Sequence, residues 1–512
     1  MLDVPLGRNE GGPDLLDAGH LITGLATRTA RGGAVMLGAQ LAKQAINLGA
    51  TMVMARALMP SDYGLVGMVT AITGFVSMFR DMGLSMATVQ REMVTQDQVS
   101  TLFWVNVGAG LLLALVTAAL APLVAWFYGE ERLIAITWAL AIGFIAYGLA
   151  AQHHALLQRQ MRFTTLALID VVVLCVQSAV GVALALTHRG YWALVFHALA
   201  GNLALAVALW ATCGWRPGRP VRGAGTRSLL AFGRNLVGFN VVNYFARNLD
   251  NVLIGRVWGE WQLGLYSRAY NLLLLPMTTI NGPIGAVVVP ALSRLQRRPK
   301  EYKELYLASL SLIAGLTMPA AVLMIVASRE LISLVFGPNW VDASVLFQLL
   351  GISAVLQPIY NTQGWVHMSL GGTDRMLRWG LVGSTLIVLS FLAGLPFGAR
   401  GVALSYSLTI VLITWPCLWY AFRGTEIRLR DLLRVITRPL VSSLVAGGAA
   451  LALTHRMMGN GLLLRTAAVS GAQVSLYVML YFLLPGWWFL GRRPRIRALL
   501  GWMHAAVAGS EQ

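Results

Sequence analysis

Long apolar runs separated by short polar ones make up most of the chain. Measured against the ~20 mostly apolar residues a helix needs to cross a hydrocarbon core, they predict fourteen membrane-spanning helices. These lie near 33–55, 64–86, 102–127, 133–156, 165–187, 191–212, 232–255, 265–290, 305–327, 345–369, 379–397, 401–421, 439–455 and 462–484. The implied fold class is an all-α polytopic membrane protein. The loops test this independently, because short loops rich in Lys and Arg stay cytoplasmic. With the N-terminus inside, 26 basic residues fall on the cytoplasmic side and eight on the other, namely Arg56, Arg132, Arg189, Arg256, Arg329, Arg400, Arg456 and Arg465. Both termini are therefore expected in the cytoplasm, with Trp487, Trp488, Arg492 and Arg493 as an interfacial anchor after the last span.

Composition agrees with the pattern. A chain of 512 residues that is 57% hydrophobic and 12% charged is neither a soluble protein nor a disordered one. The net charge of +18 would suggest nucleic-acid binding in a soluble chain. Here the basic residues are dispersed between apolar runs, so no nucleic-acid partner is expected. Cys175, Cys213 and Cys417 lie within or at the edges of apolar stretches without a second Cys or His at ligand spacing, which disfavours a zinc site or a disulfide frame. The first twenty residues are acidic and rich in Gly and Pro, so they do not read as a signal peptide, and the first span is expected to direct insertion. No Walker A, HExxH or GxSxG motif is present, and no loop could hold a nucleotide-binding domain, so no catalytic residue, cofactor or metal is expected.

The chain also resembles itself. Arg56, Gly64 and Leu65 align with Arg256, Gly264 and Leu265; Phe127, Tyr128 and Gly129 with Val335, Phe336 and Gly337; and Arg189 and Gly190 with Arg400 and Gly401. The offsets are 200, 208 and 211 residues. An even number of helices per repeat gives both halves the same orientation, related by a pseudo-two-fold axis normal to the membrane, with a path between them. The organisation expected is a cytoplasmic tail 1–30, a six-helix bundle 31–213, a linker 214–228, a second six-helix bundle 229–422, a cytoplasmic loop 423–438, two additional helices 439–484 and a tail 485–512.

Polar residues inside spans are costly, a charge ~2.5–3.5 kcal/mol on insertion scales, and so face a cavity or a partner. Gln40, Lys43, Gln44, Asn47 and Thr51 share one face of the first helix. Asn240, Asn243, Arg247, Asp250 and Asn251 share one face of the seventh, and the 200-residue offset superposes the two sets. Two repeat-related helices with polar faces suggest opposite walls of one cavity, with Lys43 and Arg247 inviting an anionic ligand. For the amides, ordinary interhelical hydrogen bonding is the competing explanation; for Arg80, Arg234 and Arg268 it is snorkelling to the interface. Asp81, Asp170 and Asp250 are the acids in the spans, each able to couple an ion or to pair with a nearby cation such as Arg247 beside Asp250.

At this point the residues carry a family likeness. The stretches 55–66, 79–85, 158–163, 248–255, 264–266 and 336–340 together resemble the Wzx-type polysaccharide flippases, especially the colanic-acid-exporter-like branch. That family belongs to the multidrug/oligosaccharidyl-lipid/polysaccharide superfamily. The resemblance implies two six-helix bundles around a central cavity and transfer of an undecaprenyl-diphosphate-linked oligosaccharide from the cytoplasmic to the periplasmic leaflet of a bacterial inner membrane, in lipopolysaccharide or exopolysaccharide assembly. It implies membrane lipid, a polysaccharide polymerase and chain-length or export proteins as partners. On this reading Lys43 and Arg247 meet the diphosphate, and Gln40, Gln44, Asn47, Asn240 and Asn243 meet sugar hydroxyls, with Asn251 also in the cavity. The alternatives are a cation-coupled drug exporter, which would favour acids and aromatics in the cavity, and a membrane ligase or transferase, which the short external loops disfavour.

Overall fold

Helices occupy the expected spans in the computed structural model, which describes residues 25–80, 85, 88, 89, 94–221, 227–456 and 461–483. In chain order they are α1 (Leu25–Ala57), α2 (Pro60–Ser77), α3 (Gln96–Tyr128), α4 (Arg132–Arg159), α5 (Phe163–Leu186), α6 (Trp192–Thr212) and α7 (Arg227–Arg294). There follow α8 (Pro299–Val326), the short α9 (Ser328–Val335), α10 (Ala343–Asn361), α11 (Gln363–Ser369), α12 (Thr373–Gly394), α13 (Gly398–Ala421), α14 (Leu429–Arg456) and α15 (Leu462–Leu483). Helix α7 is two spans in one: Gly259, at φ 78°, breaks it into two arms that match the predicted seventh and eighth helices.

Sequence chemistry sets the ends and repairs the interiors. Thr95 caps α3 by accepting from the Gln98 amide while the Gln98 side chain accepts from the Thr95 amide, and Gly129 closes the same helix in the left-handed conformation. Proline inside a helix orphans the carbonyl four residues earlier, and in hydrocarbon that group must find another donor. Pro122 orphans Ala118, whose carbonyl accepts from the Trp138 indole at 3.1 Å; Pro319 orphans Gly315, whose carbonyl accepts from the Tyr477 hydroxyl at 2.7 Å.

Helices α1–α6 form one bundle, in which α1 packs on α5, α3 on α4, and α6 on both α4 and α5. Helices α7–α13 form the other, with α10 between α8 and α13, and α12 against α13. The bundles meet through α2 and α7, while α14 and α15 dock on the outside of α8. Nine of the described helical stretches are long and apolar enough to span a membrane unaided, and neither α1 nor α2 is among them, while part of α7 qualifies only as a bent pair.

Candidate functional site

Between the bundles lies a cavity of about 740 Å³. Its polar lining comes from Gln44, Asn47 and Thr51 of α1, Tyr63 and Thr70 of α2, His197 of α6, and Asn248, Asn251, Ser267, Arg268 and Asn271 of α7. The polarity that weakens α1, α2 and α7 as lone spans is thus gathered on one shared space, where it can be hydrated or liganded.

Arg268 is the charged side chain among the described residues of this lining. Its guanidinium carbon stands 4.3 Å from the centroid of the Tyr63 ring, and its buried Nε has no hydrogen-bond partner. The Tyr63 hydroxyl and the Asn251 side-chain oxygen are likewise buried and unpartnered. Such groups cost free energy unless water or a ligand satisfies them. His197 Nδ1 lies 2.9 Å from the Gln177 backbone carbonyl, which requires the proton on Nδ1. A guanidinium ringed by amides and hydroxyls is suited to an oxyanion that carries a hydrogen-bonding appendage.

The sequence-derived residues separate in the structure. Gln44, Asn47 and Asn251 line the cavity, whereas Gln40 is exposed outside the lining. Lys43 sits at the edge of the polar arc of α1 and turns to α5, where its Nζ lies 2.8 Å from Asp170 Oδ2. The cation expected to meet a diphosphate is here paired with a carboxylate within the first bundle. Asp250 is buried away from the cavity: Oδ2 accepts from the Tyr266 hydroxyl at 2.8 Å and Oδ1 from the Asn251 amide, tying the two arms of α7 across the Gly259 break. The side chains of Asn240, Asn243 and Arg247 and the whole of Asp81 lie outside the described residues. Sequence reasoning missed Arg268 as a cavity residue because its repeat counterpart is Met68, which has no charge to flag the pair. The run Ser267, Arg268 and Asn271, polar at helical spacing, was the available signal.

One end of the cavity is shut. Gly64 and Gly264 are repeat-equivalent, as are Pro60 and Glu260, and the contacts are reciprocal. A Cβ on Gly64 would lie 1.8 Å from the Glu260 carbonyl oxygen, and a Cβ on Gly264 1.8 Å from that of Pro60. Beside them Trp340 Nε1 donates to the Ala55 carbonyl at 2.7 Å, Arg56 to Leu334 at 2.6 Å, and Arg132 reaches Glu260 at 3.4 Å. Two hydrogen bonds from Arg132 also hold the Glu130 carboxyl in the adjoining loop below the usual carboxylate range. This closed end is the one poor in Lys and Arg.

A family model described as "Polysaccharide biosynthesis protein" matches residues 53–345. The chain belongs to this family. It is 26% identical to the teichuronic acid biosynthesis protein TuaB of Bacillus subtilis over 80% of this chain and 86% of that one. It is 25% identical to the lipopolysaccharide biosynthesis protein WzxC of Escherichia coli over 71% and 74% of the two chains, and 21% identical to the succinoglycan biosynthesis transport protein ExoT of Rhizobium meliloti over 77% and 80%. Among solved structures, lipid II flippase MurJ in an inward closed conformation matches with a TM-score of 0.69 over 89% of this chain and 99% of that one, at 13% identity. An inward-facing multidrug resistance MATE transporter matches at 0.59 over 76% and 97%, also at 13% identity. This member of the polysaccharide biosynthesis family therefore has the two-bundle fold that those transporters share.

Proposed function

We propose that this protein moves a polyprenyl-diphosphate-linked oligosaccharide from the cytoplasmic to the outer leaflet of the plasma membrane by alternating access. The observation that carries the reading is the Arg268 guanidinium, its buried Nε without a hydrogen-bond partner, in a 740 Å³ amide-lined cavity between two bundles. A diphosphate-linked sugar cannot shed its water into hydrocarbon without replacement donors and acceptors. Arg268 supplies the cation for the diphosphate; Gln44, Asn47, Asn248, Asn251 and Asn271 supply hydrogen bonds to hydroxyls; the lipid tail stays in the bilayer. The Lys/Arg-poor end faces outward on this reading, so the closed end is the exit and the state is inward-facing. Relatives named for the making or transport of cell-surface polysaccharides support the substrate class, and the name of ExoT, a transport protein, favours a transporter over an enzyme.

A cation-coupled drug exporter would place an acid in the cavity, and the described lining has a cation and amides instead. Loss of a charge-assisted bond to phosphate costs ~1.5–3 kcal/mol, so Arg268→Ala is expected to lower export about tenfold or more at equal protein level. Arg268→Lys should retain part of it. Surface polymer and inner-leaflet lipid-linked oligosaccharide are the two readouts, the first falling as the second rises. Unchanged export in Arg268→Ala would overturn the assignment.

A further inference from the structure

A second hollow, of about 340 Å³, opens on the Lys/Arg-poor end beside the closed contact. Trp258 and Trp261 from the Gly259 break and Phe397 from the turn before α13 form its walls, with Gln262, Asp342 and Arg400 between them. The rings present free surface: Trp261 is 40% exposed and Phe397 77%. The framework beneath is built rather than loose. Trp258 Nε1 donates to the Leu395 carbonyl at 2.7 Å, and the Gln262 side-chain oxygen accepts from the Ala399 amide at 2.8 Å. Gly398, at φ 73°, lets the turn tuck in, since a Cβ there would meet that same oxygen at 2.9 Å.

An interfacial aromatic belt explains tryptophans at this depth, but it does not explain why exposed Asp342 and Arg400 share the hollow with them. Arg400 is also one of the few basic residues on this side of the chain. Aromatic walls with opposite charges between them suit a ligand that is neutral overall, rich in hydroxyls and bounded by C–H faces. A carboxylate accepts from hydroxyls, a guanidinium donates to them, and the positive C–H face of a sugar ring lies against the negative face of an indole. The volume is at the lower end of the ~300–1,000 Å³ typical of small-ligand sites. Position fits as well: Gln262 and Leu265 flank Gly264 of the closed contact, and Arg268 of the cavity is one turn further along the same helix. We infer that this cleft is an exit-side subsite for one or two pyranose units of the transported glycan, holding them as the headgroup leaves the cavity. The inference rests on the transport reading above for its ligand class.

The test is saturation-transfer difference NMR on the full-length protein in detergent, with cellobiose, maltose and N,N′-diacetylchitobiose as probes. Transfer to pyranose ring protons is expected for the wild type. Trp261→Ala should reduce it about fivefold or more, and Asp342→Asn less, while Trp261→Tyr keeps most of it and shows that the fold survives. Arg268→Ala, outside the cleft, should leave the signal unchanged while losing export. No transfer to any of the three sugars, equal transfer in Trp261→Ala, or loss in Arg268→Ala alone would each overturn the cleft. Full export in Arg268→Ala with a Trp261-dependent signal would instead count against the cavity and leave the cleft standing.

Discussion

Two cations on cavity-lining helices, Lys43 of α1 and Arg268 of α7, differ in what surrounds them. Lys43 has a carboxylate at 2.8 Å, and the two side chains are 28% and 47% exposed, so the pair is screened and contributes at most ~1 kcal/mol. Lys43→Ala and Asp170→Asn are therefore each expected to lower the thermal midpoint of the purified protein only slightly and to preserve export. The double substitution should cost less than the sum, because both single changes break one pair. Abolished export with an unshifted midpoint in Lys43→Ala would instead return that residue to the transport path. Sequence periodicity placed Gln44, Asn47 and Asn251 on the right faces, since a helix must present residues three and four apart together. It could not separate Lys43 from its neighbours, because the decisive fact is a carboxylate 127 residues away on another helix.

At the level of the helix, the spans were legible because hydrocarbon leaves the backbone no alternative to internal hydrogen bonding. The face of α7 was read less well. Asn248 and Asn251 line the cavity, but Asp250, assigned to the same arc, is buried against Tyr266 of the second arm. The Gly259 break brings that arm back alongside the first, and a wheel drawn for one straight helix cannot show it. The glycine contact at the closed end gives a sharper test. Gly64→Val would drive side-chain atoms into the Glu260 backbone, whereas a Cβ on Gly67, one turn on, lies 3.5 Å from the flexible end of Leu263. With Cys175, Cys213 and Cys417 replaced by Ser and Asn271 by Cys, Gly64→Val should increase labelling by a membrane-impermeant maleimide added outside. Gly67→Ala should not. Equal labelling in both would mean that the contact does not govern access.

Across the whole molecule, α14 and α15 are joined to the second bundle by more than apolar packing. The Tyr477 hydroxyl satisfies the carbonyl that Pro319 orphans, Gln473 donates to the Pro319 carbonyl at 3.1 Å, and Arg465 pairs with Glu330 at 2.6 Å. The Glu330 side chain is only 4% exposed, so removing its partner strands a buried charge at a cost of ~3 kcal/mol. Arg465→Ala should accordingly depress the thermal midpoint well beyond Lys43→Ala, and the further change Glu330→Gln should recover part of the loss. A midpoint equal to that of the wild type would show that the last two helices are not anchored by this pair. The sequence marked these helices as lying outside the repeat but held no sign of the anchor, whose partners are 135 residues apart.

The glycine contact has a consequence for descent. Residue 64 meets residue 260 while residue 264 meets residue 60, the pattern of an isologous interface, in which one surface is complementary to itself. A single six-helix chain bearing a small residue four positions after the start of its second helix could make the same contact with a second copy. At this contact the two halves of one chain are thus arranged as the two subunits of such a dimer would be.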